Sequence, residues 1–179
     1  MCTYIKKSSI CCTSKAKVLD KNEILFNYKR TIEFHGIDEG YQRFRIITEY
    51  ELKNSSRNQL LFVCNFFSDI PKGLEVVYEK EYEVSWMFGS KQGDLSLSKD
   101  AFILESVYIN DIPIKNIQTK ESTGQKIEYK VDPHIELDGK KIRYIFKVKQ
   151  SAEYAFITTP ITRLTRNYDI TFDYKMIRV

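Results

Sequence analysis

The sequence contains few of the residues that usually break strands, catalyse reactions or cross membranes. Of its 179 residues, seven are glycine, four are proline and two are histidine. Its longest unbroken apolar run, Leu60–Cys64, is far shorter than the roughly 20 residues that span a bilayer as a helix. No basic and then apolar leader opens the chain, so we expect no secretory signal. These features favour a cytoplasmic globular protein, and the 42% apolar content excludes a wholly disordered chain.

Strong helix formers are also scarce, since alanine and leucine together account for 15 residues. Isoleucine, valine, threonine and the aromatic residues account for 65, and these side chains fit a pleated, half-buried surface better than a helix. No segment of helical length shows an apolar stripe with helical spacing. Strand patterns instead predict strands that include 24–34, 41–53, 74–87, 102–109 and 152–159, with turns over 36–40 and 110–113. The sequence therefore predicts an all-β fold, an antiparallel β-sandwich of about 8–10 strands, with a closed β-barrel as the alternative.

Excess charge of either sign is missing from most of the chain. Residues 1–22 contain five lysines and one aspartate, which accounts for the whole net charge of +4, and the remaining residues are neutral. We predict a flexible basic arm over 1–22 and one β-sandwich domain over 23–179. A nucleic-acid partner is not expected, because affinity for nucleic acid depends mainly on neutralising phosphates.

The predicted arm carries three of the four cysteines. Cys11 and Cys12 lie near Lys6 and Lys7, and acyl chains beside a basic patch are the two signals that stable peripheral membrane attachment requires. A membrane tether at these four residues is therefore one hypothesis, and reduced thiols in a cytoplasmic protein are the other. The cysteine spacing does not match a Cys-x-x-Cys zinc site, so we expect no metal and no cofactor.

The clearest local pattern predicts a hairpin over 126–149. Asp138-Gly139 is a dipeptide that two-residue type I′ turns favour. With these residues at the turn, the apolar residues of both arms share one face and opposite charges pair on the other. The expected apolar pairs are Ile135–Ile142, Val131–Phe146 and Tyr129–Val148, and the expected charge pairs are Glu136–Lys141 and Glu128–Lys149.

The polar face of the second arm of this hairpin is the candidate binding face. Its basic residues face no acid within their own strand, and two arginines in the following loop extend it. The ordinary interpretation is a salt-paired edge that deters aggregation, and the functional one is a surface that docks an acidic partner or a phosphate ligand. The candidate residues are Lys141, Arg143, Lys147, Lys149, Arg163 and Arg166.

Residues suited to catalysis are few. His35 and His134 are isolated, so we interpret them as an exposed turn residue and a polar-face residue. The chain has no Gly-x-Ser-x-Gly nucleophile motif and no phosphate-binding glycine loop. Cys64 lies in the most apolar predicted strand, where a thiol packs inertly. The alternating glutamates of 79–83 could supply carboxylates for glycoside hydrolysis, although such a row is more often a solvated face.

We therefore expect a non-catalytic β-sandwich that recognises a protein partner, with the arm as a basic tether. The alternative is a β-barrel or cleft that senses a small anionic ligand, either a nucleotide or a lipid, in a pocket lined by some of the 23 tyrosine and phenylalanine residues. An enzyme that uses carboxylates alone is a third hypothesis. Self-association through an exposed edge strand is also open.

Overall fold

The computed structural model describes residues 23–67, 84–89, 101–122, 126–151 and 163–174, and all regular secondary structure in these ranges is β-strand. The strands are β1 (Ile24–Asp38), β2 (Tyr41–Lys53), β3 (Leu60–Phe67), β4 (Val84–Gly89), β5 (Phe102–Ile109), β6 (Ile112–Pro113), β7 (Ile117–Ser122), β8 (Lys126–Val131), β9 (Lys141–Ser151), β10 (Leu164–Arg166) and β11 (Asp169–Tyr174). The all-β prediction is confirmed.

The described strands form two sheets. The larger sheet has the order β10-β1-β2-β9-β5-β6, with β11 also paired to β1, and the smaller sheet has the order β4-β3-β8-β7. Neither sheet closes on itself within the described residues, so the sandwich prediction is confirmed over the barrel alternative. Most pairs are antiparallel, but β1 pairs with β10 and β11 in parallel, as β3 does with β4.

The first hairpin has the expected strands and a tight turn. β2 has the predicted bounds, and β1 continues four residues beyond its predicted end at Phe34. Glu39 and Gly40 form the turn with φ of 49° and 78°, the positive values that a two-residue type I′ turn requires at both central positions. The pairing shifts register at Asn27, which has φ 51°, and again near Gly36. These bulges set which residues of β1 face outward.

The hairpin predicted over 126–149 is wrong. β8 belongs to the smaller sheet, where Val131 pairs with Leu60, and β9 belongs to the larger sheet, where Phe146 pairs with Ile46. Both edges of β9 are hydrogen-bonded, to β2 and to β5, so β8 has no edge of β9 to join. Apolar and polar residues do alternate along β8 and β9 as predicted, but each strand pairs with strands that are distant in the sequence.

The charge pairs expected from that hairpin are also wrong. Lys141 lies opposite Glu51 of β2, and Lys149 lies opposite Arg43. The turn at Asp138-Gly139 does exist, but it lies in the connection between the sheets. Only its glycine has a positive φ, 66°, and its N–H donates to the Leu52 carbonyl at 2.7 Å. The turn is therefore anchored to the end of β2, and the connection that contains it links β8 to β9 without pairing them as a hairpin.

The core lies between the two sheets and is rich in aromatic rings. Phe62 of β3 contacts Tyr144 and Phe146 of β9 at centroid distances of 5.0 and 5.3 Å, and Phe102 of β5 stacks on Phe146 at 4.4 Å. Such ring pairs contribute about 0.5–1.5 kcal/mol each beyond the area they bury. Because alternate residues of a strand point to opposite faces, this packing turns the basic residues of β9 away from the core.

Parts of the sequence-based organisation lie wholly or partly outside the described residues. The predicted arm over 1–22 is one of them, and the description begins at Glu23. The strand predicted over 74–87 is described only from Val84 onward, as β4, and the strand predicted over 152–159 is not described. The boundary between arm and domain therefore stays a prediction.

Candidate binding face

The outer face of the larger sheet carries the four candidate basic residues of β9. Their neighbours at even positions are buried in the core: Ile142, Tyr144, Phe146 and Val148. The side chains of Lys141, Arg143, Lys147 and Lys149 therefore share the opposite face, and Lys147 is the most exposed of the four. The structure thus brings these four together, although β9 pairs with strands that the sequence analysis did not assign to it.

β2 adds two arginines to this face that the sequence analysis did not select. Arg43 lies opposite Lys149, and Arg45 lies opposite Lys147. Two consecutive cross-strand pairs therefore have like charge, an arrangement that is destabilising unless other groups compensate for it. We call Arg43, Arg45, Lys147 and Lys149 the basic stripe. Both arginines occupy polar positions of the β2 alternation, so the missing information was the β2–β9 pairing.

Carboxylates on the flanking strands pair with three residues of the basic stripe, Arg43, Arg45 and Lys147. Glu105 of β5 lies 3.2 Å from Arg45 Nε and 3.8 Å from Lys147 Nζ, and Glu33 of β1 lies 3.4 Å from Arg45 Nη1. Partial burial alone would lower the pKa of Arg45, but its bonds to Glu105 and Glu33 raise it. Arg43 pairs with Asp38. The two central strands are thus basic at this end of the sheet, and the acids lie to either side.

A groove of about 440 Å³ runs over the basic stripe. Among the described residues, the charged side chains that line this groove are the four cations of the basic stripe. His35 lines one side of the groove, and Ile103 lines the other. The Lys149 ammonium also lies 4.8 Å from the centre of the Tyr41 ring. Glu33, Asp38 and Glu105 are absent from this lining. A ligand in the groove would therefore meet positive charge and aliphatic surface.

The other two basic residues of β9 lie in a half of the face where the charges are mixed. Lys141 Nζ is 3.3 Å from Glu49 and 3.7 Å from Asp111. The Arg143 guanidinium lies 4.3 Å above the Tyr108 ring. Neither residue lines the groove, so among the candidates on β9 only Lys147 and Lys149 belong to the groove-lining positive surface.

The structure places the two candidate arginines of the last segment elsewhere. Arg166 lies on β10, at the far edge of the larger sheet, with its guanidinium 5.5 Å from the Phe26 ring. The side chain of Arg163 is only 5% exposed, and its Nε bonds to Glu23 at 3.0 Å. Arg163 is therefore part of a buried ionic cluster and does not extend an exposed anion-binding face.

Glu23 is the centre of this buried ionic cluster. Its carboxylate accepts hydrogen bonds from Arg57 Nε at 2.8 Å and from the Ser55 hydroxyl at 2.6 Å, in addition to its pair with Arg163. The Asp138 carboxylate accepts from the Ser55 N–H at 3.2 Å. The cluster thus joins the start of β1, the loop after β2, the turn before β9 and the approach to β10.

Within the described ranges, the structure brings together no catalytic or metal-binding set. No three His, Cys, Asp or Glu side chains there are placed to hold a metal ion. His35 bonds Glu33 at 3.3 Å, and His134 lies near Asp132 and Asn116; neither bonds a described hydroxyl or thiol. Cys64 is fully buried, and burial raises the pKa of its thiol well above the usual range.

Three sequence-based candidates lie outside the described residues. They are the Cys11-Cys12 pair, the lysines Lys6 and Lys7, and the alternating glutamates of 79–83. The membrane-tether hypothesis and the carboxylate-enzyme hypothesis therefore stay predictions. No helix among the residues that are described is long and apolar enough to cross a bilayer.

Comparisons with known proteins add little to this geometry. No protein-family model matches the sequence, and no curated protein matches it. One solved structure that the chain resembles is described as that of "a putative protease" from Parabacteroides distasonis, with 14% identity and a TM-score of 0.37. The similarity covers 72% of this chain and 23% of that one. A TM-score this low supports no inference about fold or function.

Proposed function

We propose that this protein is a non-catalytic binding module that recognises an acidic segment of a protein partner through the basic stripe. The observation that carries the proposal is the groove above two consecutive like-charge pairs, Arg43–Lys149 and Arg45–Lys147. Such pairs weaken a sheet, and a bound anion would relieve their repulsion. The flanking carboxylates orient the cations, and these partly exposed ion pairs are weak enough to rearrange when an anionic partner arrives.

The spacing of the cations indicates the form of the partner. Arg43 and Arg45 are two residues apart on β2, as are Lys147 and Lys149 on β9, so each row repeats at about 6.8 Å. An extended peptide presents alternate side chains at the same interval. An acidic segment that lies along the strands would therefore place successive carboxylates next to successive cross-strand pairs.

Fluorescence anisotropy with a labelled peptide of alternating glutamate and threonine tests this function. We expect saturable binding at low ionic strength that weakens as salt is added, since salt screens exposed charges. The double variant Lys147→Glu/Lys149→Glu should lower the affinity by roughly tenfold or more. These substitutions replace the like-charge cross-strand pairs by opposite ones, at the cost of the 3.8 Å pair between Lys147 and Glu105.

A matched control changes the same charge elsewhere. Lys115 and Lys130 are exposed and lie outside the larger sheet. The double variant Lys115→Glu/Lys130→Glu should change the affinity by less than about threefold, the effect of long-range charge alone. Equal losses in both double variants, or no binding by the folded protein, would overturn the proposal. Displacement of the peptide by ATP at much lower concentration would indicate a small anionic ligand as the natural one.

A further inference from the structure

The two edges of the larger sheet differ in how well they are protected against pairing with another chain. At one edge, β6 consists only of Ile112 and Pro113, and a very short strand that contains proline is a common way to block an edge. At the opposite edge, β11 pairs with β1 in one unbroken register from Asp169 to Tyr174. Within the described ranges no strand pairs with the other side of β11, so its backbone offers N–H and C=O groups to a partner strand.

The segment that contains β11 also exposes a row of aromatic rings. Tyr168, directly before the strand, Phe172 and Tyr174 are 43%, 50% and 69% exposed. The Tyr168 ring stacks on Tyr28 at 5.3 Å, so it lies on the core side of the sheet. Tyr174 lies on the same side, 6.1 Å from Phe34, which packs against the core. Phe172 shares this side, since residues two apart on a strand point the same way. An apolar row on an open edge strand is typical of a contact surface.

The other face of β11 carries two aspartates, and these charges restrict how two copies of the strand can pair. Asp169 and Asp173 point away from the core, as does Thr171 between them. A two-fold axis perpendicular to the sheet makes two copies of β11 antiparallel and keeps their aromatic rows on the same side. With Thr171 on the axis, Asp169 of each copy would oppose Asp173 of the other, which is destabilising. With Phe172 on the axis, each Asp173 opposes a threonine instead.

The register centred on Phe172 also joins the two apolar rows. The two Phe172 rings become direct cross-strand neighbours, and Ile170 of each copy lies opposite Tyr174 of the other. Pairs of two aromatic residues, or of an aromatic and a β-branched residue, are favourable cross-strand combinations. A strand that continued to Lys175 would place this lysine opposite Asp169 of the other copy, a pair of opposite charge. The sequence of β11 is thus complementary to itself in this register.

From these observations we infer that the partner of the β11 edge is a second copy of this chain. The two copies pair β11 with β11 in the register centred on Phe172, so that their larger sheets form one continuous sheet across the two-fold axis. This pairing satisfies open backbone groups and covers part of the aromatic row of each copy. The contact is separate from the basic stripe, which lies on the outward face of β2 and β9, and it does not depend on the proposed function.

Sedimentation velocity of the full chain over a range of concentrations tests for this dimer. We expect a concentration-dependent dimer that does not grow into larger assemblies, since a two-fold contact closes on itself. Phe172→Lys should raise the dissociation constant of the dimer by roughly tenfold or more, because it replaces the aromatic pair on the axis by two cations. Ile112→Lys is the matched control, since Ile112 is 65% exposed at the opposite edge, and it should leave the dimer unchanged.

Disulfide cross-linking tests the register itself, in a variant with serine at 2, 11 and 12, where the remaining native thiol, Cys64, is buried. Under mild oxidation Phe172→Cys should form an intermolecular disulfide, because directly opposite residues have Cα atoms about 4.5–5.5 Å apart, within reach of the bond. Tyr174→Cys is the matched control. Tyr174 is more exposed than Phe172, but the register sets its two copies four residues apart, about 14 Å, which is too far for a disulfide.

Three results would each overturn the inference. They are a folded chain that stays monomeric at every concentration, equal loss of dimer in Phe172→Lys and Ile112→Lys, and equal cross-linking of the cysteines at 172 and 174. The cross-linking comparison stands even where Phe172→Lys does not fold. None of these results bears on the acidic-peptide assay, so the dimer and the proposed function can fail independently.

Discussion

Replacing Glu23 by glutamine should destabilise the protein more than any comparable change at an exposed acid. The Glu23 side chain is 9% exposed, and its carboxylate bonds the Ser55 hydroxyl and two arginines, Arg57 and Arg163, whose side chains are 11% and 5% exposed. Glutamine preserves the size of the side chain and one acceptor oxygen but removes the negative charge. The substitution therefore removes the carboxylate charge that the two buried guanidinium groups of Arg57 and Arg163 share.

The expected loss follows from the burial of these partners. Removing one partner of a buried ion pair costs about 3–5 kcal/mol, because the remaining charge stays out of water without compensation. Glutamine can still accept one hydrogen bond, so we expect about 3 kcal/mol. For a chain of this length each 1 kcal/mol lowers Tm by about 2–4 °C, which gives a decrease of about 6–12 °C.

Urea unfolding followed by circular dichroism, together with thermal melts, measures this loss. Glu51→Gln is the matched control, since its pair with Lys53 at 3.0 Å is about one-third to one-half exposed, and it should cost about 0–1 kcal/mol. Adding Arg163→Met to Glu23→Gln should cost less than the two single changes together, because it also removes one of the buried cations whose charge the Glu23 carboxylate offsets. Similar losses for Glu23→Gln and Glu51→Gln, or strict additivity with Arg163→Met, would refute the reasoning.

Two further predictions rest on shifted pKa values. Burial raises the pKa of the Cys64 thiol, so this thiol should react slowly in the folded protein. In a variant with serine at the other three cysteines, a thiol reagent at mildly alkaline pH should react about a hundredfold faster after urea unfolding than before. Equal rates before and after unfolding would contradict the burial of Cys64. Partial burial tends to raise the pKa of Glu33, but hydrogen bonds from His35 and Arg45 outweigh the burial and lower this pKa. The stability that the Glu33 carboxylate contributes is therefore present at neutral pH and is lost as the pH falls below 4.5, the ordinary pKa of a glutamate. Glu33→Gln should therefore flatten the decline of the urea midpoint in acid, and an unchanged pH profile would argue against this linkage.

The strands themselves were largely predictable because their signals are local. The alternation in β2 and the turn residues Glu39 and Gly40 are contained within a few neighbouring positions, and the structure has that hairpin. The positive φ values at Asn110 and Asp111 likewise lie at the turn expected after β5. Where one hairpin was assigned to the wrong partners, the local alternation of β9 was still correct.

The candidate sites were less predictable, because each of them joins strands that are distant in sequence. The basic stripe needs β2 beside β9, a pairing that neither strand's own pattern indicates. The burial of Arg163 beside Glu23 connects residues at opposite ends of the described chain. The spacing of residues within a single strand does not indicate which distant strands and side chains come into contact.

The sequence by itself determined that the described chain is all β, where most of its strands run, and which side chains of each strand share a face. Composition and a two-residue alternation are sufficient for this, because successive side chains of a strand must point to opposite sides. Only the tertiary structure decided that β9 pairs with β2 and β5 rather than with β8. Strands compete for one another's edges through backbone hydrogen bonds that carry little sequence information, and the shared core decides which pairing prevails.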